Sequence, residues 1–86
     1  MENIRNFDRI TQVIKRITAA DHASQADFDE ILAVRALYDR GTGGYTYANN
    51  VYKAAQAFNA GQRKKFRKHF DKAKKAYDAE VMAEWL

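Results

Sequence analysis

The chain has 86 residues, a formal net charge of +4, 47% hydrophobic and 30% charged side chains, 4 Gly, no Pro and no Cys. That length allows one domain, spanning 1–86, and the composition is globular rather than disordered. The lack of Cys excludes disulfides, zinc–thiolate sites, iron–sulfur clusters and thiol nucleophiles, and so few turn-forming residues argue against a β-sandwich or barrel.

Met1-Glu2-Asn3-Ile4-Arg5 lacks the apolar run and cleavage site of a signal peptide. No window approaches the ~20 apolar residues of a membrane span. A soluble, cytoplasmic protein is therefore expected.

The spacing predicts an amphipathic helix over 3–20. Ile4, Phe7, Ile10, Ile14 and Ile17 recur three and four residues apart, with Val13 beside them. Glu2, Arg5, Asp8, Arg9, Lys15 and Arg16 fall on the opposite arc. Ala19-Ala20-Asp21-His22 ends this helix.

Ser24 reads as the N-cap of a second helix, with Asp27 three residues on and Asp29 and Glu30 near its positive end. Arg40 and Gly41 mark its stop. Its apolar face holds Phe28, Ile31, Leu32 and Tyr38, flanked by Val34. Leu37 points nearly the opposite way, as an exposed anchor or a second core contact. Arg35 sits within the apolar face, where it reads as a snorkelling stem within reach of Asp39.

Gly41-Thr42-Gly43-Gly44 lacks the Lys and preceding strand of a P-loop and reads as a flexible connector. Thr46 then caps a helix from about Tyr47 to Asn59, with Val51, Ala54, Ala55 and Phe58 on one stripe. Gly61 breaks the chain, and Asn59 with Gln62 resembles a capping box for the last helix. Over 62–85, Phe66, Phe70, Ala73, Tyr77 and Val81 form a nearly heptad-like line, with Trp85 at its edge, expected to be docked. The reading is an all-α four-helix bundle with short loops and a long basic C-terminal helix. The same heptad-like line also offers a homodimer seam.

The charge is unevenly placed. Residues 1–61 carry seven Lys/Arg and seven Asp/Glu. Residues 62–75 carry Arg63, Lys64, Lys65, Arg67, Lys68, Lys72, Lys74 and Lys75 against Asp71 alone. Residues 76–86 are acidic, with Asp78, Glu80 and Glu84. With the apolar line docked, the last helix presents a positive strip. Arg63, Lys64, Arg67, Lys68, Lys72, Lys74 and Lys75 are the candidate polyanion-binding residues. Nucleic-acid phosphate is the first expected partner, bound through counterion release without sequence readout. An acidic protein groove and anionic lipid share the same chemistry, and a solvated face that keeps the domain soluble is the plain alternative.

Tyr38, Tyr45, Tyr47 and Tyr52 surround the Gly-rich segment, with Asn49 and Asn50 nearby. Such a mixture suits recognition surfaces and base stacking. Tyr38 and Tyr47 fall on apolar stripes, so Tyr45, Tyr52 and Asn49 are the partner-binding candidates.

Catalysis and cofactors are not expected. The two His residues, His22 and His69, lack a ligating neighbour at helical metal-site spacing, and His69 lies among cations. Asp27, Asp29 and Glu30 lack the Gly and terminal Glu of an EF-hand loop. The expected function is a small binding protein that engages nucleic acid or a nucleoprotein complex. The alternative is a stoichiometric inhibitor or adaptor docking on an acidic surface of a host nucleic-acid enzyme or defence complex, a style found among bacteriophage and mobile-element proteins.

Overall fold

A computed structural model describes the backbone of residues 2–85 and the side chains of 4–84. It contains four helices: α1 (Glu2–Ala20), α2 (Gln25–Arg35), α3 (Gly43–Asn59) and α4 (Arg63–Trp85). Among the described residues every regular element is helical, and no helix is long and apolar enough to cross a membrane. The chain is an all-α four-helix bundle with extents of 38 × 24 × 22 Å. α4 is the longest helix and rises about 35 Å at 1.5 Å per residue.

α1 forms because its apolar residues return to one face. Phe7, Ile10, Val13 and Ile17 are buried there. The expected face is rotated slightly: Val13 lies in the core, while Ile14 is only half-buried at its edge. Asp21 ends the helix at φ 61°, a left-handed turn that Asp tolerates better than most residues.

Ser24 does cap α2, and the capping box is complete: its hydroxyl accepts from the Asp27 N–H, and its own N–H donates to the Asp27 carboxylate. Two ion pairs clasp α1 to α2, Arg9–Glu30 at 2.8 Å and Arg16–Asp27 at 3.1 Å. Burial raises the Asp27 carboxyl. The bonds from the Ser24 N–H, the Arg16 guanidinium and the Ser24 hydroxyl outweigh that and hold it below the ordinary range.

α2 stops at Arg35, not at Arg40. The reason is tertiary. The chain turns at Ala36–Leu37, which leaves Leu37 57% exposed and brings the Tyr38 ring back over Gly44. There Tyr38 accepts a bond from Asn6 Nδ2 and lies 6.3 Å from Phe7. The Gly-rich segment is likewise not a loose connector. Gly41 makes the turn at φ 88°, and Thr42, not Thr46, caps α3 by accepting from the Tyr45 N–H. Gly43 and Gly44 are the first residues of the helix. A methyl group on Gly44 would overlap the Tyr38 ring, and one on Gly43 would overlap the Glu80 carboxylate of α4. That carboxylate sits at the positive end of α3, which favours it.

Phe7 is the centre of the core. It is fully buried, edge-on to Tyr47 at 4.5 Å and 5.5 Å from Tyr77. Burial pushes the Tyr47 phenol up to about 12. α3 and α4 make the most extensive pairing, and both helices bury small residues, Ala54, Ala55 and Ala57 on α3 and Ala73 on α4, which permit close approach. Of the line Phe66–Phe70–Ala73–Tyr77–Val81, Ala73 is buried in the core and Tyr77 and Val81 pack against it, while Phe66 and Phe70 stay half-exposed. Asn59 does not begin a capping box for α4; its side chain reaches Ala23 instead. The expected docking of the Trp85 side chain lies outside the described residues.

Candidate polyanion-binding surface

All eight cations of α4 are exposed, because the half-buried Phe66, Phe70 and Tyr77 and the buried Ala73 turn the rest of the helix outward. Arg63, Arg67 and Lys74 face α1. There they border two open hollows that meet at Phe70, one of about 670 Å³ beside Arg63 and Arg67 and one of about 360 Å³ beside Lys74, with apolar walls that include Ile14, Val51, Phe58 and Phe66. The phenylalanines form a chain, with Phe66 5.5 Å from both Phe58 and Phe70. Asp21, Asp71 and Asp78 line the same groove and offset its cations.

Lys64 and Lys75 point away from the bundle, and Lys68 lies between them and the α3 side, at 100° per residue. On the α3 side, a cleft of about 460 Å³ is lined by Lys53, Gln56, Ala57, Ala60, Gln62, Lys65 and His69. No carboxylate lines it. His69 is half-buried, and its ring Nδ1 lies 3.3 Å from Asn50 Oδ1. Asn50 Nδ2 donates to Thr46 O at 2.8 Å, which fixes the amide with its oxygen toward the imidazole. A carbonyl oxygen only accepts, so this contact is a hydrogen bond in the tautomer with the proton on Nδ1, which leaves Nε2 to take up a second proton. Partial burial lowers the His69 pKa, and so do the charges of Lys53, Lys72, Lys68 and Lys65. The field around this imidazole comes from both helices.

Tyr45, Asn49 and Tyr52 do come together, but around Arg35. The Arg35 guanidinium lies 5.7 Å from the Tyr45 ring centre and 5.5 Å from that of Tyr52. Its Nη1 donates to Asn49 Oδ1 at 3.0 Å. This replaces the expected reach to Asp39. Tyr52 also packs edge-on to Phe28 at 5.6 Å. One face of each ring is therefore committed to the α2–α3 joint.

Lys53, Gln56, Gln62 and His69 were not visible as site residues in the sequence, and Lys65 counted only toward the total charge. The one available signal was the i, i+4 spacing of Lys65 and His69 on the flank next to α3. Compared with protein-family models, with curated proteins and with solved structures, the chain finds no match.

Proposed function

We propose that the chain is a non-catalytic binding protein whose basic helix α4 engages a polyanion, nucleic acid or a nucleoprotein complex, without sequence readout. One observation carries this reading. Arg63, Lys64 and Lys65 occupy the first turn of α4, which contains no acid, while Asp78, Glu80 and Glu84 lie toward its other end. Cations at a helix N-terminus oppose the macrodipole and cost stability. A charge run that served only solubility would have no reason to take that order. A bound phosphate reverses the sign, because cations, dipole and free N–H groups then all favour it.

Fluorescence anisotropy with labelled single- and double-stranded oligonucleotides tests the reading, over ~50 to ~200 mM salt. The expected result is micromolar binding that weakens steeply with salt, equally for unrelated sequences. No binding at the low end would sink it.

The groove between α1 and α4 favours a second reading, a stoichiometric inhibitor or adaptor on an acidic protein surface. Phe58, Phe66 and Phe70 are half-exposed beside Arg63 and Arg67, and aromatic residues with Arg anchor protein interfaces. A captured partner that survives nuclease treatment would select this reading; one lost with the nucleic acid would remove it.

A further inference from the structure

We propose that the α3–α4 cleft formed by Lys53, Gln56, Gln62, Lys65 and His69 is a phosphate-binding site, entered by a phosphodiester of a nucleic-acid strand. The proposal rests on the polyanion reading and locates it on one side of α4.

Three features set this cleft apart. Its cations come from two helices, Lys53 from α3 and Lys65 from α4, with Lys68 and Lys72 acting on the same imidazole. Its lining contains no acid, whereas Arg63, Arg67 and Lys74 share their groove with Asp21, Asp71 and Asp78. Its remaining polar groups suit phosphate oxygens. Lys53 and Lys65 supply ammonium donors, and Gln56 and Gln62 supply amide donors. His69, with Nδ1–H held by Asn50, gains a second donor at Nε2 on protonation. The cleft also opens beside the first turn of α4, whose backbone N–H groups favour an anion.

Protonation and anion binding are therefore coupled. The groups facing His69 are Lys53 and Asn50 from α3 and Lys65, Lys68 and Lys72 from α4. Without a ligand, the four lysines disfavour a further positive charge. A phosphate placed among them favours it. Binding takes up a proton, and affinity rises as pH falls through the imidazole range.

The test follows the two imidazole C2 protons by NMR, with His22, exposed in the α1–α2 turn, as internal control. Titrations run with a short single-stranded oligonucleotide, with inorganic phosphate and with poly-glutamate. The oligonucleotide is expected to raise the His69 midpoint by at least half a pH unit and leave His22 in place. Lys53→Gln with Lys65→Gln is expected to weaken binding at least tenfold at ~50 mM salt and to lower the salt slope by about two. Arg67→Gln with Lys74→Gln, whose cations share their groove with three carboxylates, is expected to weaken binding less than Lys53→Gln with Lys65→Gln does. Binding that leaves His69 unmoved, or that depends on Arg67 and Lys74 instead, overturns the site and leaves the polyanion reading standing. No binding of any oligonucleotide overturns both. A His69 shift with inorganic phosphate but not with the strand keeps the phosphate site and rejects the strand as its source. An equal shift with poly-glutamate overturns phosphate selectivity.

Discussion

The side-chain amide of Asn59 pairs with both backbone polar groups of Ala23. The Ala23 N–H donates to Oδ1 at 2.7 Å, and Nδ2 donates to the Ala23 carbonyl at 2.9 Å. One side chain at the end of α3 thus completes the turn between α1 and α2. Ala23 is buried and Asn59 exposed, so removing the amide loses both bonds and leaves only water that reaches the vacated space to replace them. Asn59→Ala is expected to cost about 2 kcal/mol in urea unfolding. Asn59→Asp keeps the acceptor, loses the donor and falls between. Equal stability of all three proteins would show that the pairing contributes nothing.

Asp27 makes acid stability predictable. Its folded pKa lies below the unfolded one, because hydrogen bonds and Arg16 outweigh burial. The carboxylate's contribution is then complete above the unfolded value, near pH 4, and is lost as pH falls through the lower folded value. At pH 7, Asp27→Asn should be less stable by about 1 kcal/mol, and the difference should shrink as the pH falls below the unfolded value and through the lower folded one. A difference that persists unchanged in acid would place its origin outside this ionisation.

Gly43 and Gly44 are neighbours with different obligations. Ala at either position gains some helix propensity, less than the ~1 kcal/mol of a helix interior because both lie in the first turn. At Gly43 the Glu80 side chain must swing away from Cγ outward, giving up its place at the positive end of α3, but no ring has to move. At Gly44 the whole Tyr38 ring must leave a position fixed by Asn6 and Phe7. Gly43→Ala is expected to cost less than Gly44→Ala, which should lower the melting temperature by several degrees. Equal effects would mean that the Tyr38 contact does not restrain the turn.

The first turn of α4 gives a prediction of opposite sign to most substitutions. Arg63→Gln with Lys64→Gln should raise stability by about 0.5–1 kcal/mol at low salt, a gain of roughly 3–6 °C in melting temperature. The gain should shrink in ~1 M salt, where screening is strong. Polyanion affinity should fall in the same variant. A drop in melting temperature at low salt would show that these cations support the fold, which removes the main argument for a binding role.

Much of the fold was legible because the signals were local. α1 is one-sided, Ser24 and Asp27 form their cap within four residues, and the apolar line of α4 fixes which way its cations point. The misplaced boundaries have a common cause. Arg40–Gly41 and Thr46 are adequate local stop and start signals, but the packing of Tyr38 on Gly44 and Phe7 outweighs them. Asn59 was misread because its partner lies 36 residues away. The site was half legible for a similar reason. A single-helix projection shows that eight cations are exposed, and no projection of α4 shows that Lys53 of α3 joins them or that Asp21 opposes them. Arg35 stands out in the sequence as a cation on an apolar face, and only the tertiary structure supplies Tyr45, Tyr52 and Asn49 around it.

The extensive pairing of α3 with α4 also has a kinetic consequence. These helices are consecutive and are joined by the three residues 60–62, so their contacts close a very short loop. Such local contacts form early and fast. α1 touches α3 and α4 far less and closes much longer loops. Amide exchange should therefore be slowest at Val51–Ala57 and around Ala73, and faster along α1. The cationic cleft lies entirely inside the hairpin that assembles first, so this surface persists through partial openings that release the N-terminal helix.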